Sequence, residues 1–64
     1  MQVDYKKLFT ICANRGFTLS YVAEISQIPR QTIANIRTGK NITTVTAGKI
    51  AKALGVSVDE ILKD

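Results

Sequence analysis

The chain has 64 residues, with one cysteine, no histidine, and nine basic against five acidic side chains, for a net charge of +4. A single cysteine excludes an internal disulfide, and no apolar run approaches the roughly 20 residues that a membrane-spanning helix needs. The length and the hydrophobic content of 45% predict one small globular domain over residues 1–64. We expect it to be cytoplasmic, because the N-terminal residues show no signal-peptide pattern.

Apolar side chains recur at helical spacing near the N-terminus, at Tyr5, Leu8, Phe9 and Cys12. This spacing predicts a first helix over residues 4–14. Asp4 is expected to cap its start, and Gly16 to end it in the left-handed conformation that helix ends often adopt.

A second helix is predicted for residues 19–26. Thr18 is a favourable N-cap residue, because its hydroxyl can accept a hydrogen bond from the first turn. Val22, Ala23 and Ile25 are expected to form the inward face of this helix. A short turn then leads to the third helix.

Pro29 and Gly39 bracket the third predicted helix as start and stop signals. Successive residues lie about 100° apart around a helix axis, so Ile33 and Ile36 fall on one side. The opposite side carries Arg30, Gln31, Ala34, Asn35 and Thr38. A guanidinium, two carboxamides, a methyl group and a hydroxyl are groups that fit base edges in a DNA major groove. The pattern therefore predicts a recognition helix.

A fourth helix is predicted over residues 45–54, capped by Thr43 or Thr44. Its inward face is expected to hold Ala47, Ile50, Ala51 and Leu54. Lys49 and Lys52 fall on the opposite face, where we expect them to be solvated.

Ser57 and Glu60 have the spacing of a capping box, in which each side chain bonds to the backbone of the other residue. This pattern predicts a last short helix that includes Ile61 and Leu62. All the predicted elements are helices, and no alternation typical of strands is present. The predicted fold class is therefore all-α, with five helices in a compact domain.

The basic residues are concentrated in the middle of the chain. No acidic residue occurs between Ile25 and Val58, whereas this stretch holds Arg30, Arg37, Lys40, Lys49 and Lys52. A basic stretch of this kind indicates a polyanionic partner such as nucleic acid. A solvated surface accounts for a small charge excess equally well, so charge alone does not decide between the two.

Catalytic and metal-binding functions find little support in the sequence. Without histidine, neither a Ser–His nor a Cys–His arrangement is possible. One cysteine and scattered carboxylates make a poor set of metal ligands, and no glycine-rich phosphate loop is present. We therefore expect no enzymatic activity, no cofactor, no metal and no small-molecule substrate.

The order FTLSYVAEISQIPRQTIANIRTGK, followed by TAGKIAKALGVSVDEIL, resembles the helix-turn-helix domain of the phage repressor and Cro family over about residues 8–62. The matching positions are Ala23, Ile28, Thr32-Ile33, Gly39-Lys40 and residues 51–56. The resemblance implies a five-helix fold like that of lambda repressor, with the helix-turn-helix at about residues 19–38. It also implies that the third helix lies in the major groove.

Position by position, the resemblance implies base contacts for Arg30, Gln31, Ala34 and Asn35. Arg30 would pair with guanine, and Gln31 or Asn35 with adenine. Ala34 would contact a thymine methyl group. Contacts to the DNA backbone are implied for Thr18, Leu19, Thr38, Lys40 and Asn41. Thr32 and Arg37, at the flanks of the reading face, are further candidates for phosphate contact.

The chain departs from the common family pattern at a few positions. Many relatives have glutamine where Leu19 stands, so here only the backbone N–H can meet a phosphate. Many have glycine in the turn, at the position of Gln27. Some pair an arginine of the first helix with a glutamate after the reading face, but here Cys12 and Arg37 occupy those positions. Arg37 is then expected to be free to face phosphate, and Cys12 to be packed inside.

The predicted function is that of a sequence-specific transcriptional regulator, a repressor that binds double-stranded operator DNA. We expect a homodimer, weakly associated and completed on DNA, on a two-fold symmetric site with half-sites about 34 Å apart. Its dimer surface is expected around residues 56–62. Two alternatives remain open: a protein-binding adaptor or antitoxin-like component with the same fold, and a nonspecific nucleic-acid binder.

Overall fold

In a computed structural model that describes residues 1–64, four α-helices follow one another along the chain. They are α1 (Tyr5–Arg15), α2 (Leu19–Ser26), α3 (Arg30–Arg37) and α4 (Thr44–Leu54), and a single 3₁₀ turn follows at Val58–Glu60. The first, second and fourth predicted helices begin and end within one residue of these bounds. No helix is both long and apolar enough to cross a membrane.

Side-chain caps begin three of the helices, as the sequence predicted. Oxygens of Asp4, Thr18 and Thr43 accept hydrogen bonds from backbone N–H groups three residues later, at 3.1, 3.0 and 3.2 Å. A cap of this kind contributes about 1 kcal/mol. Gly16 and Gly55 end α1 and α4 with φ of 70° and 69°, a conformation that costs glycine little.

One core of twelve buried apolar side chains draws on all four helices. It consists of Val3, Leu8, Cys12, Val22, Ala23, Ile33, Ile36, Ala47, Ile50, Ala51, Leu54 and Ile61. The predicted inward face of α4 is confirmed, since all four of its members are buried. Helix α4 packs mainly against α2, so these two helices form the centre of the fold.

The predicted inward face of α2 is wrong at one position. Ile25 is 37% exposed, whereas Val22 and Ala23 are buried and Ser26 joins them at 5% exposure. Those three positions span an arc of about 100°, and Ile25 lies about 60° beyond its edge. Helix α2 meets α4 through this arc, so Ile25 is turned to solvent. Phe9 lies at the edge of the α1 face in the same way and is 54% exposed.

The expectation of five helices is wrong, because the last predicted helix does not form. The capping box does form, because Ser57 N donates to Glu60 Oε2 at 2.9 Å. However, residues 58–60 make only one 3₁₀ turn. Ile61 N and Leu62 N still donate to Val58 O, but Ile61 O and Lys63 N bond to the N-terminal residues Asp4 and Gln2.

An extended N-terminal segment pairs with the C-terminal residues. Val3 and Leu62 form an isolated antiparallel bridge, and Asp4 N donates to Ile61 O at 2.8 Å. Val3 is only 3% exposed and belongs to the core. The sequence analysis did not predict this pairing, since it found no strand pattern in either segment.

The same N-terminal segment also holds the loop between α3 and α4. Ile42 N donates to Met1 O at 2.8 Å, and Met1 N donates to Ile42 O at 3.1 Å. Gln2 Nε2 donates to Gly39 O at 2.6 Å. The loop that follows α3 is therefore bonded to the N-terminal segment at both of its ends.

Gln27 ends α2 in the left-handed conformation, with φ of 58°, and is the one residue other than glycine with positive φ. This conformation closes the helix, because Gln27 N donates to Glu24 O at 3.1 Å and Ile28 N to Ala23 O at 3.0 Å. It costs a residue with a Cβ atom about 1–2 kcal/mol. The turn therefore favours glycine at the position where this chain has glutamine.

We predict that Gln27→Gly raises the free energy of unfolding by about 0.5–1 kcal/mol, because glycine adopts positive φ without strain. Lys49→Gly is the matched control at an exposed position inside α4, where glycine should lower stability by about 1 kcal/mol. Denaturant unfolding of both variants measures the two effects. A Gln27→Gly variant no more stable than the parent would contradict strain at this turn.

Candidate nucleic-acid interface

Two isoleucines attach α3 to the core and set its orientation. Ile33 and Ile36 are 6% and 1% exposed, and the helix packs against α2. Ile28, in the turn before α3, packs half-buried against the same core. With its apolar side held in this way, α3 presents its polar side to solvent.

The four predicted base-contacting residues lie together on that side of α3. Arg30, Gln31 and Ala34 are exposed and Asn35 is half-buried, with Thr32 half-buried at the flank. Gln31 Nε2 donates to Asn35 Oδ1 at 3.1 Å. This bond orients both carboxamides and leaves the acceptor Gln31 Oε1 and the donor Asn35 Nδ2 without a side-chain partner in the chain.

A small cleft lies between the start of α2 and two arginines of α3. It has a volume of about 160 Å³, and Leu19, Ser20, Arg30 and Arg37 line it. The first N–H groups of a helix have no partner within the helix, and they favour anions together with the helix dipole. The cleft therefore has the chemistry of a phosphate site. Ser20 was not among the predicted contacts, although its place in the first turn of α2 was the signal for it.

Arg37 has no ion-pair partner, and its guanidinium makes a contact with an aromatic ring that the sequence did not predict. Its guanidinium carbon lies 5.5 Å from the centre of the Tyr5 ring. A stacked guanidinium keeps its N–H groups in the plane of the group, so they can still donate to a phosphate. The contact with Tyr5 thus holds the positive charge of Arg37 at the edge of α3.

The loop after α3 exposes the remaining predicted contacts. Thr38, Lys40 and Asn41 are all exposed, and the side chains of Lys40 and Asn41 form no hydrogen bond or ion pair within the chain. Thr38 Oγ1 lies 3.3 Å from Ala34 O and 3.1 Å from Asn35 O, so its proton is directed back into α3. A phosphate oxygen needs a donor, which makes Thr38 the weakest of the three for this role.

The whole surface formed by α3 and this loop carries positive charge without a compensating carboxylate. Arg30, Arg37 and Lys40 have no ion-pair partner, and the one ion pair in the structure joins Lys7 to Asp64 at 3.0 Å. No acidic residue occurs on α3 or in the loop. Such a surface attracts a polyanion.

Cys12 is packed in the core, as expected, and is 2% exposed. Burial raises the pKa of its thiol above the usual value, while the charge of Arg15 acts in the opposite direction. A thiol that stays protonated is a poor nucleophile and metal ligand. No group of three histidine, cysteine, aspartate or glutamate side chains lies close enough together to hold a metal ion.

Comparison with known proteins agrees with this geometry. A family model described as Helix-turn-helix matches residues 10–61. The chain belongs to the helix-turn-helix family. The fold is also similar to the high-resolution crystal structure of the restriction-modification controller protein C.AhdI from Aeromonas hydrophila, with a TM-score of 0.77 and 23% identity over 91% of each chain. A search of curated proteins found no significant match.

This helix-turn-helix protein is a DNA-binding transcriptional regulator. The family assignment confirms the resemblance found in the sequence, and the four helices confirm the all-α fold class. The likeness to C.AhdI concerns the shared fold, since only 23% of the aligned residues are identical.

Proposed function

We propose that the protein is a sequence-specific repressor that binds double-stranded operator DNA with α3 in the major groove. The observation that supports this most directly is the division of α3 into two sides. Ile33 and Ile36 are buried on one side, whereas Arg30, Gln31 and Thr38 on the other side are exposed and Asn35 is half-buried. In this proposal residues 1–64 act as one DNA-binding unit, with the helix-turn-helix at about residues 19–38.

The side chains of α3 match the hydrogen-bonding pattern of particular bases. Arg30 donates two bonds to guanine O6 and N7, which is the commonest specific contact in the major groove. The bonded pair Gln31 and Asn35 offers one acceptor and one donor, the pattern that adenine N6 and N7 require. Ala34 packs against a thymine methyl group. Each good pair of bonds contributes about 1–3 kcal/mol of discrimination between bases.

Contacts to phosphate fix the position of α3 on the duplex and carry no base preference. We assign them to Thr18, Leu19, Thr32, Arg37, Thr38, Lys40 and Asn41. The strongest are the cleft at the start of α2, where helix N–H groups lie beside Arg37, and Lys40 with its unpaired ammonium. Repression then follows from occupation of an operator that overlaps a promoter, in the cytoplasm where the chromosome lies.

A second copy of the chain completes the binding site. One helix-turn-helix unit contacts few base pairs, and two units on a two-fold symmetric site double that number. The proposed dimer surface lies around residues 56–62, where Val56, Val58 and Leu62 are half-buried in the single chain. Because this surface is small, association is weak in solution and is completed on DNA.

Selection of bound duplexes from a random DNA pool tests the specificity and the symmetry together. We predict an enriched two-fold symmetric sequence whose half-sites are separated by about 34–36 Å, one helical turn of about 10 base pairs. An enriched site without symmetry would contradict the homodimer. A pool that is bound without enrichment would identify a nonspecific nucleic-acid binder and contradict the proposed function.

Two substitutions separate base contacts from phosphate contacts on the selected operator. Gln31→Ala should weaken binding by about 1–3 kcal/mol and relax the preference at one base position. Lys40→Gln should weaken binding to all sequences nearly equally and lower the slope of log affinity against log salt by about one unit. Fluorescence anisotropy at several salt concentrations, with operator and single-base variants, measures both effects.

Both variants are expected to keep the parent's thermal stability, because the bond between Gln31 and Asn35 contributes only about 0.2–0.5 kcal/mol to the helix. Lys49→Gln also removes one positive charge, from an exposed position on α4, and serves as the control for Lys40→Gln. Unchanged base preference in Gln31→Ala would show that the reading face is assigned to the wrong side chains.

A further inference from the structure

Two lysines outside the helix-turn-helix, Lys6 and Lys63, come from opposite ends of the chain and line one cleft of about 320 Å³. The pairing of the terminal segments brings them together. Val3 and Leu62 form the bridge, and Lys63 N donates to Gln2 O at 3.1 Å. We call this site the terminal cleft.

The terminal cleft is lined by both apolar and basic residues. Buried Val3 is one of its apolar residues, and Arg37 and Gly39 belong to α3 and its loop. Lys6 and Lys63 are both exposed. Three cationic residues from three separate parts of the chain thus line the same cleft.

No acidic side chain forms an ion pair with these cations. Lys6, Lys63 and Arg37 have no ion-pair partner. Asp4 is the one carboxylate that lines the cleft, and its single negative charge leaves an excess of positive charge there. Like charges brought together without partners repel one another, and a bound anion removes that repulsion.

The terminal cleft is continuous with the proposed DNA interface. Arg37 lines both this cleft and the smaller cleft at the start of α2, which also contains Arg30. Gly39 leads directly to Lys40, and its carbonyl accepts the bond from Gln2 Nε2. A basic track therefore extends from the start of α2, along the edge of α3, to the two lysines of the terminal segments.

We propose that the terminal cleft is a second site for the DNA backbone, in which Lys6 and Lys63 bind phosphates that flank the half-site. This inference depends on the proposed DNA-binding function. Flexible ammonium groups suit phosphates as point charges, and they do not match base edges as a planar guanidinium or carboxamide does. The cleft therefore adds affinity and leaves base preference unchanged.

The test compares two double variants that lose the same charge. Lys6→Gln/Lys63→Gln empties the terminal cleft of its lysines, and Lys49→Gln/Lys52→Gln removes two exposed lysines of α4. Binding is measured over a range of salt with a duplex that extends about one helical turn, ~10 base pairs, beyond each half-site. The slope of log affinity against log salt should fall by about 1.8 per protomer in the first variant, on operator and unrelated DNA alike. The second variant should keep the parent's slope.

The dependence of affinity on the length of the flanking duplex is a second readout. A long-range effect of net charge does not reproduce it. Trimming the duplex to the edges of the half-sites should lower the affinity of the parent. The same trimming should leave the affinity of the Lys6→Gln/Lys63→Gln variant unchanged. All four lysines are exposed and unpaired, so the melting temperatures of both variants should equal that of the parent.

The inference would be overturned if the two double variants had equal salt slopes. It would also be overturned if the affinity of the parent did not depend on the length of the flanking duplex. These results are distinguishable from failure of the proposed function. A parent without operator preference overturns the proposed function, and the slopes of the two variants on unrelated DNA still test the terminal cleft in that case.

Discussion

Burial of Ile33 and Ile36 fixes the rotation of α3 about its own axis, and the proposed DNA interface depends on that rotation. The two residues are three positions apart, so they lie within about 60° of each other around the helix. Burying an isoleucine side chain contributes about 1.5–3 kcal/mol. A chain of this size has a total stability of roughly 3–10 kcal/mol, so a rotation that exposes both residues would cost much of it. The polar side of α3 therefore has one orientation, toward solvent.

Local signals were enough to predict most of the helical fold. Caps such as Thr18 and stop signals such as Gly55 act within one helical turn, so the sequence shows where most of the helices begin and end. The last predicted helix does not form. Ser57 and Glu60 form their capping box locally, whereas the chain beyond them forms a bridge with the N-terminal segment. That pairing joins residues from opposite ends of the chain, and no local pattern encodes it.

The candidate site also has one part that the sequence predicted and another part that it did not. The reading face lies within one helix of eight residues, so helical periodicity alone predicted which side chains share it. The contact of Arg37 with Tyr5 and the placement of Lys6 and Lys63 at one cleft depend on how separate elements pack. The N-terminal segment contributes to both the fold and the candidate site, because it pairs with the C-terminal residues and also bonds to the loop that follows α3. Gln2 makes that second connection.

The most direct test of this account is an NMR titration of the isotope-labelled protein with its selected operator. We expect the largest shifts of backbone and side-chain amide signals at the start of α2, along Arg30–Asn35, and in residues 38–41. The methyl signals of Ile33 and Ile36 should remain those of buried side chains. Shifts centred on the face of α4 that holds Lys49 and Lys52, with α3 unaffected, would contradict it.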